Sequence, residues 1–166
     1  MNFHDNRIPG PRAILDNVRS AHNVGSIFRV ADCAGLAGLD LCGLTPYPPN
    51  EKLTKTALGA DQLVRWRRFD DVAEAVLQCR AEGRAIVVCE TGGENLFDVT
   101  LPLDCAFVVG HEVWGVEPEV VAMADQVVRI PVLGGKCSLN VGTAFAVVAY
   151  ELYRRSHIGS LAGDRT

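Results

Sequence analysis

Three short polar clusters hold most of the chemistry this chain can do: Asn23 with Arg29, Gly110-His111-Glu112, and Ser138 with Asn140. The third follows a glycine turn, Leu133-Gly134-Gly135-Lys136-Cys137, that closes an apolar strand expected over Val127 to Val132. A strand ending in glycines below a helix N-terminus exposes unpaired backbone N–H groups at the positive end of the helix dipole. Such a place suits a polar cofactor or a phosphate, with Ser138 and Asn140 adding small polar groups. An ordinary strand-to-helix turn with a good serine cap reads equally well from this segment alone.

Those clusters need elements to bring them together. Short apolar runs alternate with helical patterns, which predicts an α/β fold with a mostly parallel sheet flanked by helices. Strands are expected at Ala13 to Leu15, Leu39 to Leu44, Leu63 to Trp66, Ala85 to Cys89, Ala106 to Val109 and Val127 to Val132. A first helix starts near Asn23, with Val24, Ile27, Phe28 and Ala31 as its core stripe and Arg29 facing away. Asp71 and Glu74 resemble a capping box for a helix that stops at Gly83, and Pro118 suits the first turn of another. The last helix runs from Ser138 to about Arg155, with Val141, Phe145, Val148 and Leu152 on one face and Arg154, Arg155 and His157 at its negative end. The proline-rich piece Thr45 to Asn50 reads as a loop from strand to helix. No internal repeat or linker interrupts residues 1–166, so one domain is expected. In an open parallel sheet ligands bind beyond the strands' carboxyl ends, where the second and third clusters fall.

Composition narrows the function. The formal net charge is −4 and 48% of the residues are hydrophobic, which argues against coating nucleic acid by bulk electrostatics. RNA contact would have to be local, through Arg7, Arg12, Arg19 and Arg29, or through Lys52, Lys55 and the run Arg65-Trp66-Arg67-Arg68, although such charged clusters are more often just solvated faces. The sequence shows neither a membrane-spanning run nor a signal peptide, so a cytoplasmic protein is expected. Six cysteines stand singly, with no C-x-x-C pair, and most read as buried thiols outside any metal site. G-x-G-x-x-G, the phosphate-binding G-x-x-x-x-G-K-[ST] and the G-x-S-x-G elbow are absent, which disfavours dinucleotide enzymes, P-loop NTPases and α/β-hydrolases. His111-Glu112 lacks the second histidine of H-E-x-x-H, since Gly115 stands there.

Read together, Asn23-Val24-Gly25-Ser26-Ile27-Phe28-Arg29, Val108-Val109-Gly110-His111-Glu112-Val113-Trp114-Gly115-Val116 and Ile130-Pro131 followed by Ser138-Leu139-Asn140-Val141 resemble the three motifs of the SPOUT superfamily, in its SpoU-type branch of RNA ribose 2′-O-methyltransferases. Lys55 to Ala60 resembles the segment between the first two motifs, so the resemblance covers nearly the whole chain. It implies a dimeric α/β domain with a deep C-terminal trefoil knot, an exception to the rule against knotted chains. It also implies S-adenosylmethionine bound by Cys89, Glu90, Thr91, Gly110, Ile130, Ser138 and Leu139. Arg29 would then lie near the target ribose and help activate its 2′-hydroxyl, with Asn23, Glu112, Ser138 and Asn140 orienting the hydroxyl, the loops and the partner subunit.

The resemblance points to tRNA as substrate, including the anticodon wobble nucleotide, ahead of rRNA, and leaves room for an accessory RNA-binding subunit. His111, Val113-Trp114 and Lys136-Cys137 depart from the usual motif residues and bear on substrate identity. Trp114 could stack on an unpaired base or cover the dimer core. Two other readings stand beside the enzyme: a non-catalytic RNA-binding protein of the same fold, and an S-adenosylmethionine enzyme with a non-RNA substrate.

Overall fold

The computed structural model describes residues 8–161. Six strands form one sheet in the order β3-β2-β1-β5-β4-β6: β1 Arg12–Asp16, β2 Gly38–Cys42, β3 Trp66–Phe69, β4 Ile86–Asn95, β5 Ala106–Val109 and β6 Gln126–Arg129. Every ladder between them is parallel. The helices are α1 Ala21–Cys33, α2 Glu51–Ala57, α3 Ala60–Leu63, α4 Val72–Ala81, α5 Pro118–Ala122 and α6 Val141–Leu161.

Strand alternation divides the core between the two faces of the sheet. Ala13 and Leu15 of β1, with Phe107 and Val109 of β5, face α1, α2 and α6, where Phe107 and Phe145 sit 5.2 Å apart. Ile14, Ala106 and Val108 point the other way, into the cluster that holds Val76 of α4 and Val120 of α5. Helices on both faces explain why the central strands read as unbroken apolar runs. Side chains start the helices as well. Ser20 caps α1 through the Asn23 N–H, Asn50 caps α2, and Asp71 caps α4 through the Ala73 N–H. Val24, Ile27, Phe28 and Ala31 are buried and Arg29 is exposed.

Several expected boundaries shift. The third strand begins at Trp66, because α3 occupies residues up to Leu63. The fourth does not turn after Cys89: it continues to Asn95, with Cys89 and Glu94 both opposite Val128, so residues 90–93 bulge out of the ladder. The last helix begins at Val141, and its cap is Asn140, whose Oδ1 accepts from the Gly142 N–H at 2.9 Å, whereas Ser138 lies in the preceding turn. Because this helix reaches Leu161, Arg154 and Arg155 are not at its end; both bind Glu151, and Arg155 also donates to the Leu96 carbonyl at 2.8 Å. Cys42, Cys79 and Cys105 are buried and Cys89 half-buried, but Cys33 and Cys137 are exposed.

The basic residues also sort themselves. Arg7 lies outside the described residues. Arg12 is buried against Asp40, with Nη2 to Oδ1 at 2.7 Å. Arg67 donates to both Asp40 oxygens and pairs with Glu82. These two arginines hold the sheet edge together and leave any RNA patch to others. Burial alone would raise the Asp40 carboxyl, but the hydrogen bonds from Arg67 and Arg12 outweigh it and hold the group below the usual carboxylate range.

Asp40 is fully buried, so Asp40→Asn leaves two guanidinium groups short of their counter-charge and should cost about 3–5 kcal/mol at pH 7. Because the folded-state value is depressed, this contribution is complete above the unfolded aspartate value of ~3.9 and fades as pH falls through the folded value. Urea melts at pH 7 and at pH 3 should show the gap between wild type and variant narrowing in acid. A constant gap would mean that packing, not charge, is what the substitution removes.

Candidate functional site

Beside the bulge of β4 and beyond the carboxyl ends of β5 and β6 lies a cavity of ≈ 380 Å³. Cys89, Glu90, Thr91, Gly110, Ile130, Ser138 and Leu139 all line it, as do Glu112, Trp114 and Arg129. Apolar walls from Val109, Val132, Leu139 and Val141 beside a few polar groups make a usual small-molecule site in size and character. Two carboxylate residues, Glu90 and Glu112, and one arginine, Arg129, are among the lining residues. Arg129 was not anticipated, although its place as the last residue of β6, just before Ile130, is the signal that could have found it.

Close backbone approach shapes the floor. A Cβ on Gly110 would lie 2.3 Å from the Gly115 carbonyl carbon and 2.4 Å from the Val116 nitrogen, so no other residue fits there. Glu90, carried on the bulge of β4, accepts the Val116 N–H at 2.6 Å and so ties the bulge to the loop after β5. Asp16, fully buried at the end of β1, accepts the Glu117 N–H at 2.7 Å and fixes the far end of that loop. Burial pushes the Asp16 carboxyl above its ordinary value. Within the loop, His111 Nδ1 accepts from the Val113 and Trp114 N–H groups at 3.0 and 3.3 Å, and the indole of Trp114 stacks on the imidazole at 4.3 Å while staying 77% exposed. Gly134 and Gly135, by contrast, have open space where a Cβ would be, so the protein's own packing does not require glycine at either position.

Glu112 joins the clusters. Its carboxylate accepts the N–H groups of Arg19 and Ser20 at 3.2 and 3.1 Å and the Asn23 amide at 3.1 Å. A carboxylate at the start of α1 complements the positive end of that helix. Burial would raise this carboxyl, yet the backbone N–H groups and Asn23 together hold it below the ordinary glutamate value. Asn23 then accepts from the Asn140 amide at 3.2 Å, and Asn140 caps α6. A single chain of hydrogen bonds therefore runs from the loop after β5 through the start of α1 to the start of α6.

Ser138 and Arg29 stand apart from that chain. Ser138 is exposed on the cavity wall with no hydrogen bond among the described residues. Arg29 lies one groove away, in a surface depression of ≈ 630 Å³ between α1 and α6 that Asn23, Asn140 and Tyr150 also line. Its guanidinium is exposed and makes no hydrogen bond or ion pair among the described residues. Within one chain, then, Asn23, Glu112 and Asn140 are bonded together, Ser138 shares the cavity with Glu112, and Arg29 does not reach that cavity's lining. Among the described residues no group of three or more His, Cys, Asp or Glu could hold a metal ion, and no helix is long and apolar enough to cross a membrane.

Comparison with known proteins agrees with this architecture. The chain is 30% identical over 151 residues to the tRNA (guanosine(18)-2′-O)-methyltransferase of Thermus thermophilus, covering 90% of this chain and 77% of that protein. It spans only 58 to 65% of the length of several other curated relatives. A solved structure described as giving insight into 2-OH methylation of C/U34 on tRNA superposes with a TM-score of 0.79 at 26% identity, over 89% of this chain and 97% of that one. The AdoMet-bound rRNA methyltransferase of Sinorhizobium meliloti superposes with a TM-score of 0.83 at 25% identity, over 90% of this chain and 58% of that one. Residues 11–150 match the model of the SpoU rRNA Methylase family, and with the parallel sheet and the three joined motifs this shows that the chain belongs to that family.

Proposed function

We propose that the protein is an S-adenosylmethionine-dependent RNA methyltransferase that methylates a ribose 2′-hydroxyl, with tRNA as the substrate class and cytoplasmic residence. The observation that carries this reading is the hydrogen-bonded chain Glu112–Asn23–Asn140, which holds three family motifs in one arrangement around an open cavity. The tRNA assignment draws on the Thermus relative and on the C/U34 structure, whose chain this one nearly matches in length. The wobble nucleotide of the anticodon is the finer form of the proposal. We include in it residues 1–166 as one catalytic domain, and a C-terminal trefoil knot, with which the placement of β6 outside β4 and the return of α6 onto α1 and β5 are compatible.

The cavity fits the cofactor on its own terms. Gly110, packed on its other side against Gly115, presents only backbone to the cavity, apolar walls suit an adenosine, and the carboxylates of Glu90 and Glu112 suit a cationic sulfonium. When bound, S-adenosylmethionine supplies an electrophilic methyl group. In this proposal Cys89, Glu90, Thr91, Gly110, Ile130, Ser138 and Leu139 hold the cofactor, Glu112 and Asn23 keep the loop and the start of α1 in register, and Asn140 fixes the start of α6. Arg29 would donate hydrogen bonds to the ribose 2′-oxygen and offset the negative charge that grows there as the hydroxyl gives its proton to water. Holding oxygen and methyl in line supplies much of the remaining rate. Since Arg29 opens onto the α1–α6 groove, we propose a homodimer in which that groove meets a second copy and brings the guanidinium of one subunit to the cavity of the other.

Methyl transfer from labelled S-adenosylmethionine to unmodified bulk tRNA and, separately, to rRNA, followed by nucleoside analysis, tests the reading. A 2′-O-methylnucleoside from tRNA is expected; cofactor binding with no product from either RNA, even after adding a cell extract as a source of an accessory subunit, would sink it. Arg29→Ala should lower kcat by about 10²-fold or more, measured as single-turnover transfer with both ligands saturating, and near-normal turnover would remove Arg29 from the mechanism. Glu112→Gln keeps the shape and removes the charge at the start of α1, so it should cost about 0.3–1 kcal/mol of stability at pH 7 and more in turnover than in melting. Because the folded-state value of Glu112 is depressed, the stability part should fade below about pH 4.

A further inference from the structure

His111 has no part in the mechanism above, yet the loop after β5 is built around its ring. The His111 N–H donates to the Gly115 carbonyl and the Gly115 N–H to the His111 carbonyl, both at 2.9 Å, which closes the loop on itself. Inside that closure the N–H groups of Val113 and Trp114 share one acceptor, His111 Nδ1, at 3.0 and 3.3 Å. Both of those side chains are exposed, and the indole stacks on the imidazole itself. Little apolar burial therefore orders this segment, and the imidazole supplies both its cap and its stack. Every residue from Gly110 to Gly115 lines the cofactor cavity, so what orders the loop also shapes the cavity.

These bonds dictate the state of the ring. A ring nitrogen that accepts N–H groups carries no proton, so His111 is neutral with its proton on Nε2. Protonation at Nδ1 would set a donor against two donors, and turning the ring over would put a C–H there instead. Nε2 is buried and without a partner among the described residues, so Nδ1 makes all of the ring's hydrogen bonds. The charged groups that share its surroundings are Asp16 at the end of β1, Glu90 on the bulge of β4, Glu112 and Glu117 on its own loop, and Arg129 of β6, with the thiols of Cys89 and Cys137 also in the cavity lining. The Asp16 carboxylate favours an imidazolium, and the two N–H groups oppose it.

Resting on the RNA-methyltransferase reading for the identity of the ligand, we propose that His111 is a positioning residue for the cofactor: its neutral form holds the loop from Gly110 to Gly115 in the shape that binds S-adenosylmethionine, and protonation of Nδ1 releases the loop and weakens binding in acid. The ring acts through the backbone of Val113 and Trp114. Two substitutions separate its properties. Asparagine keeps an acceptor, because its side-chain oxygen can take the N–H groups two and three residues on, as in an Asx turn, but it does not titrate. Phenylalanine keeps the stack and loses the acceptor.

Calorimetric binding of S-adenosylhomocysteine between about pH 8 and about pH 5.5 spans the range in which imidazoles change charge. The wild-type Kd should rise about tenfold across it, the factor that two hydrogen bonds of ordinary net strength amount to. His111→Asn should match the wild type at the alkaline end and keep that affinity in acid, whereas His111→Phe should bind about tenfold more weakly at both ends. In ¹⁵N spectra of histidine-labelled protein, with His111 assigned by its absence from the Asn variant, the Nε2–H tautomer should appear at the alkaline end and titrate in step with the loss of affinity. Wild-type binding that ignores pH, an undiminished slope in His111→Asn, equal loss in both variants, or an Nδ1–H tautomer would each overturn the proposal. Absence of binding at the alkaline end by a protein with the expected tautomer would instead overturn the cofactor reading on which it rests.

Discussion

Six strands running in one direction place all their carboxyl ends along one edge of the sheet, and most of the candidate site follows from that constraint. Parallel ladders need crossover connections, so helices must cover both faces, and the loops that leave the strands must emerge together. The bulge of β4, the loop after β5 and the turn after β6 meet there. Residues as distant in sequence as Glu90 and Leu139 line one cavity because the bulge of β4 lies beside the turn that follows β6.

Convergence alone does not fix loops, and here carboxylates do that work. Asp16, Glu90 and Glu112 each accept backbone N–H groups from another segment: the loop after β5 for the first two, the start of α1 for the third. A charged acceptor makes a stronger bond to an N–H than a neutral one, and short loops with few apolar contacts gain most from such bonds. At the opposite end of the sheet Asp40 serves two arginines in the same way. An acidic chain thus spends several of its carboxylates on internal order, so the net charge of −4 says little about the charge any one site presents.

Much of this was legible in the amino-acid sequence, for reasons that can be stated. The apolar runs at Ala13, Ala106 and Ile86 mark strands because both faces are covered, and the stripe Val24, Ile27, Phe28 and Ala31 marks a helix because one face is buried. Asp71, Pro118 and the proline-rich loop before Asn50 carry local signals that the structure retains. Boundaries were harder. The reading that began the last helix at Ser138 chose the wrong cap, since serine and asparagine serve that role about equally well and only the direction of the Asn140 amide decides. The fourth strand ran on past its expected end because its bulge is held by pairing with β6, a partner some thirty-five residues away.

The sequence by itself determined the parallel α/β class, the family and the residue types at the three motifs, because periodicity and short motifs are local properties of the chain. Tertiary structure alone decided that Glu112, Asn23 and Asn140 form one hydrogen-bonded chain, that Arg12 and Arg67 are internal partners of Asp40, and that Arg29 opens onto a groove separate from the cavity. Each of these depends on which distant segments come within hydrogen-bonding distance, and no pattern along a single chain encodes a distance of three ångströms across the fold.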